Sequence, residues 1–188
     1  EISDNTIQNS TDDHFDNKAD INTKVYYSNE GVVVKTEVTD RFIDNEHITI
    51  SLTKDQKEYT KSVKEWCENP DLGIKCEYKE PDDNRTITFT VPTKDNEKDN
   101  EGDFTYKVSA VDYAENQAEN QTTNFCIDTT KPEVQVTYSP IQNGTTLHPI
   151  NTSNSIYYLN QNYNAFEVNV KVIEKHLKAN DTDKILSN

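Results

Sequence analysis

The sequence predicts an all-β chain: an antiparallel sandwich of two packed sheets, repeated in tandem, with the second copy incomplete. Three observations carry this reading. Short β-branched runs alternate apolar and polar residues with a period of two, the pattern of strands with one buried and one wet face. The composition is lean in apolar residues, 32% hydrophobic against 28% charged, with 10 tyrosines in 188 residues, which suits thin β-layers rather than one thick core. Finally, blocks of the chain recur at a spacing of about 134 residues, as in repeat architectures.

The strands follow in order. A first lies near Ile2, and Val32, Val34 and Val38 then face one way against Lys35, Glu37 and Thr39. Ile48, Ile50 and Leu52 alternate with Thr49, Ser51 and Thr53, and a further strand is predicted over residues 59–63. Ile87, Phe89 and Val91 alternate with threonines, and Phe104, Tyr106, Val108 and Ala110 with Thr105, Lys107 and Ser109. Phe125 and Ile127 give a last strand. Residues 94–103 carry five acidic residues and two lysines in ten positions and read as a solvated loop. Six or seven strands are enough for two packed sheets.

The repeat sets the domain organisation. Ile7-Gln8-Asn9-Ser10-Thr11 returns as Ile141-Gln142-Asn143-Gly144-Thr145, and Ile21-Asn22-Thr23 as Ile150-Asn151-Thr152. Val25-Tyr26-Tyr27 returns as Ile156-Tyr157-Tyr158, and Val38-Thr39-Asp40-Arg41-Phe42-Ile43 as Val172-Ile173-Glu174-Lys175-His176-Leu177. The offset moves from 134 to 129 to 131 and back to 134, as expected when loops of different length join equivalent strands. Residues 1–131 are then a nearly complete first copy with its first strand clipped. Residues 132–188 are the N-terminal part of a second copy that stops at the counterpart of Lys54, so the chain is expected to be trimmed at both ends.

Near the end of the first copy the chain reads Val108-Ser109-Ala110-Val111-Asp112-Tyr113-Ala114-Glu115-Asn116, and later Phe125-Cys126-Ile127-Asp128-Thr129-Thr130-Lys131-Pro132. This resembles the bacterial immunoglobulin-like repeats of large Gram-positive surface proteins, in which a strand ending in a D-x-A-G-N turn leads to a last strand and a D-T-T-x-P joint. The resemblance implies an immunoglobulin-like fold and an extracellular, cell-surface location. It implies a non-catalytic spacer role in a stalk or adhesin, with adjacent repeats of the same chain as partners. Two alternatives stand beside it: a module that binds a glycan or a host surface protein, and an accessory domain of a secreted carbohydrate-active enzyme. The turn glycine of the family is Glu115 here, so the turn is expected to use Asn116 for its positive φ or to take another shape. Asp112 is expected to accept backbone N–H bonds across it.

Charge and motifs exclude several functions. The net charge is −15, with 34 acidic against 19 basic residues, so a nucleic-acid backbone would be repelled. No apolar run is long enough to span a bilayer, so no membrane insertion is expected. His14, His47, His148 and His176 show no close metal spacing, and neither H-E-x-x-H nor G-x-S-x-G occurs, so no enzyme and no cofactor is expected apart from calcium. Asp40, Asp112 and Asp128 either converge near the domain joint as oxygen ligands for calcium or cap turns. Cys67 and Cys76 are separated by eight residues including Asn69, Pro70 and Gly73, and are either a disulfide closing a small surface loop or two unpaired thiols. Trp66 either packs over the sandwich end or stacks on a sugar, with Tyr59 and Tyr78 the aromatics nearby.

Overall fold

The computed structural model describes residues 1–8, 12–15, 24–80, 83–147 and 165–174. The repeat blocks at 21–23, 150–152 and 156–158, together with His148 and residues 175–177, lie outside the described residues. The chain is mostly β with several antiparallel sheets, and it divides into two units, Glu1–Thr129 and Thr130–Asn188.

The first unit holds β1 (Thr6–Gln8), β2 (Asp12–Phe15), β3 (Lys24–Ser28), β4 (Val32–Thr39), β5 (Ile48–Lys54), β6 (Lys57–Ser62), α1 (Val63–Glu68), β7 (Lys75–Lys79), β8 (Asn84–Val91), β9 (Lys94–Asp95), β10 (Lys98–Asp99), β11 (Gly102–Ala110) and β12 (Gln121–Ile127). One sheet runs β1-β4-β8-β7 and another runs β2-β3-β12-β11-β5-β6. All neighbours are antiparallel except β3 and β12, which run parallel with Tyr26 opposite Phe125. The alternating apolar positions of both sheets point into one shared core. Val32, Val34 and Val38 of β4 and Ile87, Phe89 and Val91 of β8 join Ile48, Ile50 and Leu52 of β5, Phe104, Tyr106 and Val108 of β11, and Phe125 and Ile127 of β12. Phe89 of the first sheet meets Tyr106 of the second at 5.2 Å between ring centroids.

One inward position of β4 is polar. Thr36 is fully buried, and burying a hydroxyl is tolerable only with partners. Its Oγ1 donates to Asn5 Oδ1 at 2.6 Å and lies 3.3 Å from the Tyr106 hydroxyl. Asn5 Nδ2 in turn donates to Thr123 Oγ1 at 3.0 Å. The segment ahead of β1 is thereby tied to both sheets.

Three expectations are corrected. The strand over 59–63 stops at Ser62, because Ser62 caps a helix: its side chain accepts from the Glu65 N–H while the Glu65 carboxylate accepts from the Ser62 N–H. Val63 and Trp66, one helical turn apart, face the core. Residues 94–103 are not an unstructured loop but the short β9–β10 hairpin followed by the start of β11, with Asn96 at φ 56 in the turn and Asn100 buried.

The third correction is the turn after β11. Positive φ falls on Glu115, at 64, and not on Asn116. Asp112 Oδ1 accepts from the Ala114 and Asn116 N–H groups, both at 2.8 Å, and Oδ2 from Asn116 Nδ2, which forces the intervening residue into the left-handed region. A residue with a Cβ there costs about 1–2 kcal/mol, partly offset by the chain entropy that glycine loses on folding. Glu115→Gly is therefore expected to stabilise the first unit by about 0.5–1 kcal/mol, read as a higher urea midpoint at unchanged m-value.

The second unit is described through β13 (Glu133–Gln142), β14 (Thr145–Thr146) and β15 (Ala165–Ile173). β13 pairs antiparallel with both, placing Val134 opposite Val172, Val136 opposite Val170 and Tyr138 opposite Val168. Val134, Val136, Val168 and Val170 are exposed.

Candidate functional site

Within the first unit the residues with most chemical character gather at the end of the β-layers where β4 and β11 finish. Asp40 Oδ1 accepts from the Phe42 N–H at 2.6 Å, so the chain turns sharply out of β4. The Tyr113 N–H donates to the Phe42 carbonyl at 3.1 Å, which places the loop after β11 beside the loop after β4. Phe42 and Tyr113 are each 62% exposed.

Asp44 organises this end. Its Oδ1 caps its own turn, accepting from the Glu46 N–H at 2.9 Å and the His47 N–H at 3.2 Å, and lies 2.6 Å from His47 Nδ1. Its Oδ2 accepts from the Tyr113 hydroxyl. The His47 and Tyr113 rings meet edge to face at 4.9 Å. Flanking charges are paired: Lys64 Nζ lies 2.5 Å from Glu46 and Arg85 Nε 3.7 Å from Glu80. Among the described residues, the buried Asn45 Oδ1, Asn84 Oδ1 and Arg85 Nε have no hydrogen-bond partner. The result is a surface with two exposed aromatic rings, one of them held by a carboxylate and an imidazole. Such a surface can stack on a flat apolar face while hydrogen-bonding at its rim.

The hydrogen bond from Tyr113, and next that from His47, lowers the Asp44 carboxyl from 3.8 to about 2. Its folded value lies below its unfolded one, so the stability it lends is complete above pH ~4 and is lost as pH falls towards 2. The group is more than a third exposed, and solvent screening keeps the effect below about 1 kcal/mol. Asp44→Asn is expected to flatten the fall of melting temperature between pH 4 and pH 2, measured by circular dichroism in matched buffers. Hydrogen bonds from the Asn116 side chain and backbone likewise hold Asp112 below its usual range.

The sequence-derived candidates fall elsewhere or apart. Asp40 and Asp112 share this end, but Asp128 follows β12, whose last residue Ile127 pairs with Gly102 at the opposite end of β11. Eight residue steps of β11 separate the two ends by about 26 Å. The three carboxylates therefore do not converge, and no group of three or more potential metal ligands occurs among the described residues. Asp40 and Asp112 act as turn caps.

Trp66 is fully buried and offers no face to a sugar. Its Nε1 donates to the Ile50 carbonyl at 3.0 Å, its ring meets Phe89 edge-on at 5.1 Å, and the Lys61 ammonium lies 5.1 Å from its centroid. Tyr59, on β6, packs partly against the core with Lys57 Nζ over its ring at 4.5 Å. Tyr78 is exposed on β7, in the other sheet, so the three aromatics share no surface. Cys67 and Cys76 are unbonded and half-buried. Phe42, Asp44, His47 and Tyr113 were the residues that sequence reasoning passed over; the one available signal was an exposed-aromatic turn, Asp112-Tyr113-Ala114, on the motif that carries the family resemblance. The chain matches no family model, no curated protein and no solved structure.

Proposed function

We propose that the chain is a tandem of immunoglobulin-like sandwich repeats serving as a non-catalytic spacer in an exported bacterial surface protein, with adjacent repeats of the same chain as its partners. The observation that carries this reading is the path of the chain through the first unit. The Glu1 ammonium donates to the Thr39 carbonyl, at the end where β4 finishes. Thr129 leaves at the other end, with its N–H donating to Glu101 Oε1 at 3.0 Å beside the start of β11. A unit entered at one end and left at the other adds its full length, about 26 Å, to an extended array.

The joint supports the same reading. Between Thr129, clasped through both its N–H and its hydroxyl by Glu101, and the first residue of β13 lie only Thr130, Lys131 and Pro132. Proline lacks an N–H and fixes its φ, which stiffens so short a link. The repeat also finds structural support. At an offset of 134, Phe166, Val168 and Val172 of β15 stand where β4 has Val32, Val34 and Val38, and both strands pair antiparallel with the strand that opens their unit. Ile2 faces Val38, whereas its counterpart Val136 faces Val170, the counterpart of Thr36. The pairing is thus slipped by two residues there and by three at Ile7, which faces Val34 whereas its counterpart Ile141 faces Ala165, the counterpart of Gly31.

Tension along such a path loads the β1–β4 and β3–β12 ladders along their strands, so several hydrogen bonds must break together. Single-molecule stretching of the whole chain between its termini is expected to show one abrupt rupture of the first unit, releasing about 40 nm of chain. Smooth lengthening without a rupture would count against a spacer. A second reading, a ligand-holding module, is favoured by the exposed Phe42 and Tyr113 on adjoining loops. Reproducible glycan-array binding that Tyr113→Ala abolishes would favour it over the spacer.

A further inference from the structure

Cys67 and Cys76 belong to neither the core alternation nor the exposed end. Cys67 lies in the last turn of α1 and Cys76 in β7, opposite Phe89 of β8. The Cys76 thiol donates to the Val63 carbonyl at 3.8 Å, and Val63 stands one turn before Cys67 in α1, so Cys76 lies against the face of the helix that carries Cys67. Both are half-buried at the rim of the core, so each keeps a path to solvent.

The loop joining them is already shaped for this contact. Leu72 and Gly73 both take left-handed conformations, at φ 56 and 65. Lys61 Nζ donates to the Asn69 carbonyl at 2.6 Å and pairs with Asp71 at 2.8 Å, and the Ile74 N–H donates to the Asp71 carbonyl. Asn100 Nδ2 holds the Leu72 carbonyl at 2.8 Å from the far side. A side chain at residue 73 would meet the Asp95 Cα at 3.2 Å, so the loop is pressed against the β9–β10 hairpin as well. The connecting chain is thus fixed from three directions, which holds the last turn of α1 and the start of β7 in place.

We propose that Cys67 and Cys76 are an oxidisable pair that closes to a disulfide on meeting a small-molecule disulfide such as oxidised glutathione, binding α1 covalently to β7. In the first step the Cys67 thiolate, its proton lost to water, attacks one glutathione sulfur. An S–S bond forms to Cys67 and one glutathione thiolate leaves. The Cys76 thiolate, likewise deprotonated, then attacks the Cys67 sulfur and displaces the second glutathione thiolate. The protein loses two protons and two electrons, and one glutathione disulfide becomes two thiols. Burial raises both cysteines above their ordinary range, outweighing the opposing effect of the Cys76 thiol on Cys67, so closure is slow at neutral pH and quickens as pH rises. Cys126 takes no part: it is buried in β12, in the other sheet.

The test equilibrates the native full-length chain with oxidised glutathione, caps remaining thiols with iodoacetamide and maps the peptides by mass spectrometry. The expected result is a Cys67–Cys76 linked peptide and an intact mass lower by two hydrogens. The melting temperature of the first unit should rise by about 5–10 °C, as for a short loop closed in the unfolded chain. Cys126→Ser should leave both changes intact, and Cys67→Ser should remove both. Cys67 and Cys76 still alkylated at equilibrium, a link to Cys126, a lasting glutathione adduct on Cys67, or a lower melting temperature after closure would each overturn the proposal. The alkylation pattern of the unmutated chain decides the matter even if Cys67→Ser folds poorly.

Discussion

Trp66→Ala is expected to destabilise the first unit by about 3–5 kcal/mol, the range for emptying a buried large aromatic. The indole fills the space between α1 and the two sheets with no exposed surface, edge-on to Phe89 and against Lys61. Alanine leaves a cavity and removes the donor to the Ile50 carbonyl. Trp66→Phe separates the two contributions: it keeps most of the packing and loses the N–H bond, at a cost of about 1–2 kcal/mol. Because Trp66 is the sole tryptophan, fluorescence reports the unfolding of the native protein and circular dichroism must follow the variants. An unfolding free energy of Trp66→Ala within about 0.5 kcal/mol of the native value, from urea titration, would contradict the packing described.

The second large effect is expected at Asn100, a residue inside a stretch of acidic and basic side chains. It is only 2% exposed. Its Nδ2 donates to the Leu72 carbonyl at 2.8 Å and the Pro92 carbonyl at 3.1 Å, and its N–H to the Thr93 carbonyl at 2.7 Å, with Lys54 Nζ 3.4 Å from Oδ1. One side chain thus fastens the α1–β7 loop to the β8–β9 connection. Asn100→Ala leaves two carbonyls without their donor, and a loss of about 2–4 kcal/mol is expected. Asn100→Asp should be worse, since an ionised carboxylate can only accept and would face the same two carbonyls. Amide exchange gives the local readout: the Ile74 N–H should lose protection first, as the loop it closes loses its outer anchor.

These two residues also mark the boundary of what was legible in the sequence. β4, β5, β8 and β11 are buried on one face, so alternation declared them, from Val32 through Ala110; β12 showed itself through Phe125 and Ile127, although Cys126 between them is buried as well. β7 was passed over because Lys75-Cys76-Glu77-Tyr78-Lys79 is an edge strand with no fully buried position, whose alternation rests on Cys76 and Tyr78 alone. α1 was overrun by the β-branched character of Thr60 and Val63, although Ser62 and Glu65 stood at capping-box spacing. Asn100 looked like loop because burial of a polar amide depends on carbonyls 28 and 8 residues away. Asp44 and Tyr113, 69 residues apart, meet only because two loops finish at the same end. Such contacts are set by topology and leave no local mark.

The path of the chain through the first unit has a practical consequence. Many single domains have neighbouring termini and accept circular permutation with a few added residues. Here Glu1 and Thr129 lie at opposite ends of the β-layers. Rejoining them would need a linker of at least about 8 extended residues to cover some 26 Å, laid along the outside of a sheet. Such a permutant would also carry its old N-terminal segment on a leash, and Asn5 would have to find its place between Thr36 and Thr123 against the pull of that linker.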